Sequence, residues 1–264
     1  MNPRANPPWA DGHYARKQLF SRSRLVTWSH TARFEMARQL AAPKAGQRLL
    51  DYGCGDGTFV AQVHDLFPSA TATDVSMSQL RDCAQRFAAL DGLTFIHVDR
   101  LDVGGADSTF DVVTCMEVLE HCPDRIQIDV LDRIARVTAA DGLVIISVPI
   151  ETGPSLAAKH LARSAVALRG LSEYANGERY RPSEFARMLF ARRDTAIVRE
   201  EQSGTDEDGR AFPFTGHKGF NWRRLERLVR SRFAIERRHF TPMRLLGPVL
   251  NSQVWFVCRK SANI

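Results

Sequence analysis

What the chain lacks narrows its function first. No apolar run approaches the roughly 20 residues that a membrane-spanning helix needs, so nothing in it reads as an integral membrane protein. The five cysteines, Cys54, Cys83, Cys115, Cys122 and Cys258, include no C-x-x-C pair. An odd set without such pairs fits reduced thiols in the cytoplasm rather than a disulfide scaffold. Lysine is scarce, five of 36 basic residues, so arginine carries the net charge of +6 and the isoelectric point near 9.3. That balance would suit an anionic partner. The arginines, however, are scattered among acids along helical stretches and form no basic stripe interleaved with aromatics, which argues against a nucleic-acid substrate. At 264 residues and 44% hydrophobic, the chain can bury one good core, a single domain with additions.

The most informative stretch is LLDYGCGDGTF, residues 49 to 59. An apolar run ends in Asp51, and Gly53, Gly55 and Gly57 then alternate with other residues before a helical pattern begins. A buried parallel strand turns into a helix this way, leaving backbone open to a ligand and free N–H groups at the helix start. One glycine is missing for a dinucleotide loop: G-x-G-x-x-G counted from Gly53 requires a third glycine where Thr58 stands. Asp51 also does nothing to hold a pyrophosphate, whereas a ligand carrying a sulfonium and an ammonium would welcome it. S-adenosylmethionine has both and no phosphate. The charge logic points to that cofactor and away from a nicotinamide dehydrogenase.

The alternation continues downstream. Residues 69 to 75 read as a second strand with Asp74 at its end, about 20 residues past the first glycine, where an acid accepts from both ribose hydroxyls. A cap on the helix starting near Ser76 is the plainer alternative. Residues 93 to 98 form a third strand ending at Asp99, placed to accept from an adenine amino group. A fourth, 110 to 115, runs into Met116-Glu117-Val118-Leu119-Glu120-His121-Cys122-Pro123-Asp124, and a fifth, 142 to 148, stops at Pro149. Helical stretches lie between them, at about 58–67, 76–90 and 123–138. Strands alternating with helices across short connections predict a doubly wound, mostly parallel α/β sheet with ligands at its carboxyl edge.

The segments LLDYGCGDGTF, ATATDV, FIHVDRLD and FDVVTCMEVLEHCPD resemble, in order and spacing, the motifs of class I S-adenosylmethionine-dependent methyltransferases. They are most similar to the small-molecule type whose fourth motif reads EVLEH. The resemblance covers residues 47 to 150 strongly and 217 to 260 weakly. It implies a Rossmann-like sheet of seven strands with the last one antiparallel. It also implies that Asp51, Gly53, Gly55 and Gly57 line the methionine end of the cofactor, with Cys54 among them as a small residue of the loop. Asp74 would hold the ribose, Val75 would lie under the adenine, Asp99 and Arg100 would border it, and Met116 and Glu117 would sit beside the sulfonium and the acceptor.

Four segments follow: a tail and lid helices over 1–42, the cofactor-binding core over 43–150, an insertion over 151–216, and completion of the core over 217–264. In the first, Asn6-Pro7-Pro8-Trp9 resembles the box with which adenine- and glutamine-methylating enzymes grip a planar amide. It lies in a proline-rich tail with no strand before it and reads as coil. Residues 1 to 34 are rich in Arg and Ser with one acid, Asp11, a transit-peptide composition. Residues 14 to 40 also read as one or two amphipathic helices offering Leu19, Phe20, Leu25, Trp28, Phe34 and Met36 for burial, and this reading, a lid over the cofactor, is preferred to a targeting signal. The insertion carries an apolar helix over 156–171 with Lys159, His160, Arg163 and Arg169, a second helix over 182–190, and a polar stretch at 200–209 expected to be a mobile loop. It reads as a cap over the acceptor, with contact to a membrane surface or a lipid-linked substrate as the alternative. A helix over 221–230 and strands over 233–240 and 252–259 close the fold.

Methyl transfer from a sulfonium is an in-line displacement, so the protein mainly aligns the nucleophile and excludes water. A hydroxyl acceptor also needs its proton taken, and His121, just past the fourth strand, is the first candidate base; packing at the following helix start is its alternative role. His217 and Glu117 are further catalytic candidates, and His160 a weaker one. Glu117, Glu120 and His121 would share a face if helical, a set suited to a divalent ion that some relatives with E-x-x-E-H are known to bind. Cys122-Pro123 places the helix start later, so no metal is expected. The sequence thus points to methylation of a small or medium acceptor at oxygen, on a sugar, glycolipid or secondary metabolite. N- or C-methylation, or a regulatory subunit that binds the cofactor without turnover, are the alternatives. The acceptor and the oligomeric state stay open.

Overall fold

The computed structural model describes residues 8–21, 23–101, 109–168, 180–205 and 208–260. Its centre is a seven-stranded sheet of β1 (Leu49–Tyr52), β2 (Ala70–Asp74), β3 (Leu93–His97), β4 (Phe110–Met116), β5 (Thr138–Pro149), β8 (Phe233–Thr241) and β9 (Gln253–Lys260). Their spatial order is β3-β2-β1-β4-β5-β9-β8. β1 pairs in parallel with β2 and β4, and β9 runs antiparallel to both β5 and β8. This is the doubly wound sheet with one reversed strand that the sequence predicts.

The central strands read as continuous apolar runs because helices cover both faces. Alternate residues divide between two cores. Leu50, Tyr52, Val113, Val144 and Ile146 pack with α4 (Asp124–Val137) and α7 (Trp222–Arg230). Leu49, Val112, Ile145 and Trp255 pack with α1 (Arg24–Ala41) and α2 (Thr58–Gln62). α3 (Met77–Arg86) lies along β2 and β3. The reversal between β1 and its neighbour β4 opens the crevice at the carboxyl edge where ligands bind in such sheets.

Four expectations need correction. Only the second half of α1 packs inward, through Met36, Ala37, Leu40 and Ala41; Phe20, Leu25 and Trp28, expected to be available for burial, are 59%, 47% and 46% exposed. The polar stretch at 200–209 is not a loop throughout: β6 (Glu201–Thr205) forms an antiparallel hairpin with β7 (Ala211–Thr215). Its apolar side comes from the partner strand, where Phe212 covers Gly204 so closely that a Cβ there would meet the ring at 2.8 Å. A strand of that composition carries no alternation of its own. Trp9 lies in a 3-10 turn, Pro8–Asp11, rather than coil, while Asn6 and Pro7 fall outside the described residues. α2 is also shorter than expected, giving way to turns up to Phe67.

The insertion further holds α5 (Pro154–Leu168) and α6 (Pro182–Leu189), and α8 (Gly247–Leu250) joins β8 to β9; Arg169, expected at the end of the first insertion helix, lies outside the described residues. Among the described residues no helix is long and apolar enough to cross a membrane.

Candidate active site

The glycine loop leaves β1 with Gly53, Gly55 and Gly57 at φ of 77°, 55° and 70°. All three lie in the left-handed region that favours glycine. At two of them packing closes the choice as well, since a Cβ on Gly53 would lie 2.3 Å from Val118 and one on Gly57 2.8 Å from Phe87. The Gly53 and Cys54 N–H groups donate to the Thr73 carbonyl at 2.8 and 2.9 Å, stitching the loop to β2. Cys54 and Cys83 both direct their thiols at the Gly55 carbonyl. The hydrogen bond with Cys83 and burial push the Cys54 thiol up, so it is a packing residue of the loop, not a nucleophile.

Asp74 ties the glycine loop to the start of α3, whose cap is Ser76 and not Asp74 itself. One carboxylate oxygen accepts the Gly55 N–H at 2.9 Å and the other the Ser76 N–H at 3.0 Å, while Ser76 caps α3. The carboxylate therefore braces the loop and stays half exposed at the crevice. Asp74→Ala is expected to weaken S-adenosylhomocysteine binding roughly 10- to 100-fold in a calorimetric titration, the loss of hydrogen bonds worth ~1–3 kcal/mol.

Asp51 is 2% exposed, and one of its oxygens accepts the Thr114 hydroxyl at 2.8 Å. Burial raises its pKa to about 7, and the nearby charge of Asp74 adds to the rise. A carboxylate so poorly solvated is a site prepared for a cation. At the far end of the crevice Val75 is 43% exposed. Asp99 faces His97 at 3.3 Å and Arg133 at 3.9 Å, and Arg100 is exposed.

Beyond β4, Glu117 adopts φ 57°, the one positive value outside glycine among the described residues. A non-glycine residue persists there only when its surroundings hold it. Its N–H donates to the Ser147 carbonyl at 3.1 Å, and its carboxylate takes Arg33 at 2.7 Å and the Gln253 side-chain amide. Arg33, on α1, keeps a buried Nε without a hydrogen-bond partner among the described residues. Nothing in the sequence singles out Arg33 or Gln253: one is among many arginines, the other is an ordinary strand residue. From the same N-terminal side, the Tyr14 N–H donates to Asp56 at 2.7 Å, and the Tyr14 hydroxyl meets His30 at 2.6 Å.

Leu119–His121 form a 3-10 turn and α4 starts at Asp124, so Glu117, Glu120 and His121 do not share a helical face. Gln127 reaches back from α4 to the Leu119 and Cys122 carbonyls. Arg199, which carries no motif in the sequence, donates to the Cys122, Glu120 and Gly216 carbonyls and lies over the Phe220 ring. These contacts fasten the turn to the end of the insertion, and the Thr215 hydroxyl donates to the Glu120 carbonyl at 3.2 Å.

Two histidines meet there. His121 Nδ1 lies 3.3 Å from the Thr215 carbonyl, the donor position of that ring, which leaves Nε2 with the free lone pair. Nε2 lies 4.0 Å from Glu120, and the ring stands edge-on to His217 at 4.6 Å between centroids. Burial, then the neighbouring His217, lowers the His121 pKa, so the ring is neutral at pH 7. His160 packs instead between Tyr180 and Phe185, away from this pair. Lys159 turns inward to Glu151 at 2.8 Å, which removes it from any basic outer face of α5.

Glu120 has no exposure, and among the described residues neither of its carboxylate oxygens has a hydrogen-bond partner. Burial, then the charge of Glu117, drives its pKa well up. Ligand atoms of Glu120, His121 and His217 all lie within 4.8 Å of one another. One carboxylate and two imidazoles fit a divalent cation. The trio is not the one that the E-x-x-E-H spacing suggests, because Glu117 is held by Arg33 and Gln253.

A family model described as a methyltransferase domain matches residues 27–199 of the chain. The chain belongs to that family. It is an S-adenosylmethionine-dependent methyltransferase, and the glycine loop, Asp51 and Asp74 lie within the matched residues. It is 29% identical over 170 residues to a ubiquinone biosynthesis O-methyltransferase of Thiobacillus denitrificans, covering 62% of this chain and 69% of that protein. It is 30% identical over 142 residues to the 27-O-demethylrifamycin SV methyltransferase of Amycolatopsis mediterranei, covering 50% of this chain and 52% of that one. The chain thus spans 69% and 52% of the length of these two curated relatives. In fold, this methyltransferase is similar to the PH0226 protein from Pyrococcus horikoshii OT3, with a TM-score of 0.58 and 16% identity over 94% of this chain and 98% of the other.

Proposed function

We propose that this methyltransferase acts on a hydroxyl oxygen of a small or medium-sized acceptor, with His121 taking the proton. One observation carries the reading: a neutral imidazole whose Nδ1 is committed to the Thr215 carbonyl presents Nε2 as a base at the crevice where β4 ends. When bound, S-adenosylmethionine supplies an activated methyl group on a sulfonium. Asp51 suits its ammonium, Arg33 its carboxylate through the unpartnered Nε, and Asp74 its ribose. Val75, Asp99 and Arg100 flank the adenine end, and Met116 the sulfonium. His121 would take the hydroxyl proton of an acceptor whose oxygen receives that methyl group, the carbon–sulfur bond breaking so that the sulfonium leaves as a neutral thioether. Glu117, expected from the sequence to be catalytic, serves instead to anchor α1, and with it the N-terminal lid, to the end of β4. The segment 151–216 caps the acceptor side.

The names of both curated relatives specify O-methylation, which supports oxygen over nitrogen or carbon. A secondary metabolite is the class the rifamycin-named relative supports; a sugar or glycolipid acceptor rests on the insertion alone, as does peripheral membrane contact through the exposed Leu161 of α5. Extracts incubated with the enzyme and methyl-labelled cofactor should show a hydroxyl-bearing metabolite gaining one methyl group. A product labelled on nitrogen or carbon would contradict the assignment.

The buried, unpartnered Glu120 favours a second reading, in which Glu120, His121 and His217 hold a divalent cation that would make the hydroxyl more acidic. Under the first reading a chelator leaves turnover unchanged. Loss of turnover restored by Mg²⁺ or Mn²⁺ assigns the trio to a cation instead.

A further inference from the structure

Glu151 is a buried acid that no motif announces. It follows β5 by two residues, is 2% exposed, and lies where the insertion begins. His217 lies where the insertion ends, two residues beyond Thr215. The two meet: His217 Nδ1 stands 3.9 Å from the same Glu151 oxygen that takes Lys159 of α5 at 2.8 Å. Lys159 is itself 15% exposed, so the carboxylate is enclosed between an ammonium and an imidazole.

At 3.9 Å the contact is too long for a hydrogen bond, but a buried carboxylate facing one ring nitrogen of histidine electrostatically favours the tautomer with the proton on that nitrogen, leaving the other with the lone pair. Free histidine prefers the opposite form, with the proton on Nε2. His121 receives the equivalent treatment from a backbone carbonyl, at Thr215, so each ring of the pair has its own acceptor facing Nδ1. The two acceptors come from different elements, one from the hairpin strand β7 and one from the end of β5. Both rings would then present Nε2 as a free base, and neither could donate from Nε2 to the other.

We propose that Glu151 is the positioning residue of His217: it holds the ring in the Nδ1–H tautomer, and Lys159 holds Glu151. The role rests on the reading that imidazole lone pairs at this rim serve methyl transfer, but its test does not. In a long-range ¹⁵N–¹H spectrum recorded above the titration range of histidine, His217 of the wild-type protein should show the Nδ1–H pattern. Glu151→Leu, which leaves no acceptor, should convert it largely to the Nε2–H pattern, while His121 keeps its own. Lys159→Met, which removes the ion pair but leaves the carboxylate, should retain the Nδ1–H pattern. A simple staple between α5 and the sheet predicts instead that both variants lose stability alike and neither changes the ring.

An Nε2–H pattern in the wild type, or no change in Glu151→Leu, overturns the proposal. The wild-type spectrum alone can do so even if the variant does not fold. Once an acceptor is known, Glu151→Leu should lower turnover roughly 10- to 100-fold, as loss of an orienting partner does, with S-adenosylhomocysteine affinity unchanged. If Glu151→Leu switches the tautomer but His217→Ala leaves turnover intact, the positioning stands and the catalytic reading of His217 fails.

Discussion

Asp51→Asn is expected to weaken S-adenosylhomocysteine binding roughly 30- to 1,000-fold, the effect of removing one partner from a buried charge pair worth about 2–4 kcal/mol, without lowering the melting temperature of the cofactor-free protein at pH 8. The two halves of the result have one cause. Asp51 is enclosed, and burial raises its pKa to about 7, above the ordinary carboxylate value of 3.8. A group raised in the folded state contributes stability that is fully present below its unfolded pKa and lost as pH rises through the folded one. At pH 8 the ionised carboxylate therefore works against the cofactor-free fold, by an amount on the order of a few kcal/mol. Asn removes that burden together with the charge that the cofactor's ammonium needs. In the wild type the same linkage makes affinity fall as pH drops below about 7, by at most tenfold per unit. A variant that binds normally would remove Asp51 from the site, and one that binds poorly because it has melted would show it in the thermal scan.

His121→Ala is expected to lower turnover roughly 10²- to 10⁴-fold, the usual contribution of a positioned base, with S-adenosylhomocysteine affinity within about twofold of wild type. The side chain is 43% exposed and lies on a turn fastened by Gln127 and Arg199, so its removal leaves the fold intact. The base acts in its neutral form, and its pKa is lowered by burial and by His217. The acid limb of the rate profile should therefore lie below the ordinary histidine value of 6.5 and disappear in the variant. Unchanged turnover would make His121 a packing residue of the turn.

Much of the fold was legible because it rests on local signals. Apolar runs in β1, β4 and β5 were bounded by Asp51, Glu117 and Pro149, the glycines marked the tight turn, and Pro123 marked a helix start. The glycine loop was legible for the same reason: Gly53 to Gly57 and Asp74 sit at fixed offsets from strand ends. The contacts gathered around the end of β4 were not. Arg33, Gln253, Glu151 and Arg199 come from four separate parts of the chain, and each acquires its role only from a partner distant in sequence. The helical face imagined for Glu117, Glu120 and His121 failed because the left-handed Glu117 swings its carboxylate to Arg33, while His217 fills the vacated place beside His121 from the far end of the insertion. The hairpin β6–β7 was hidden because its first strand is polar on both sides.

The central claim is that the crevice past β1 receives a cationic methyl donor and not a phosphate-bearing dinucleotide. Calorimetric titration of the purified protein with S-adenosylmethionine and, separately, with NADPH, at about pH 6 and pH 8, tests it most directly. The account predicts one molecule of S-adenosylmethionine bound per chain, more tightly at the higher pH, and no heat from NADPH. Binding of NADPH with indifference to S-adenosylmethionine would contradict it.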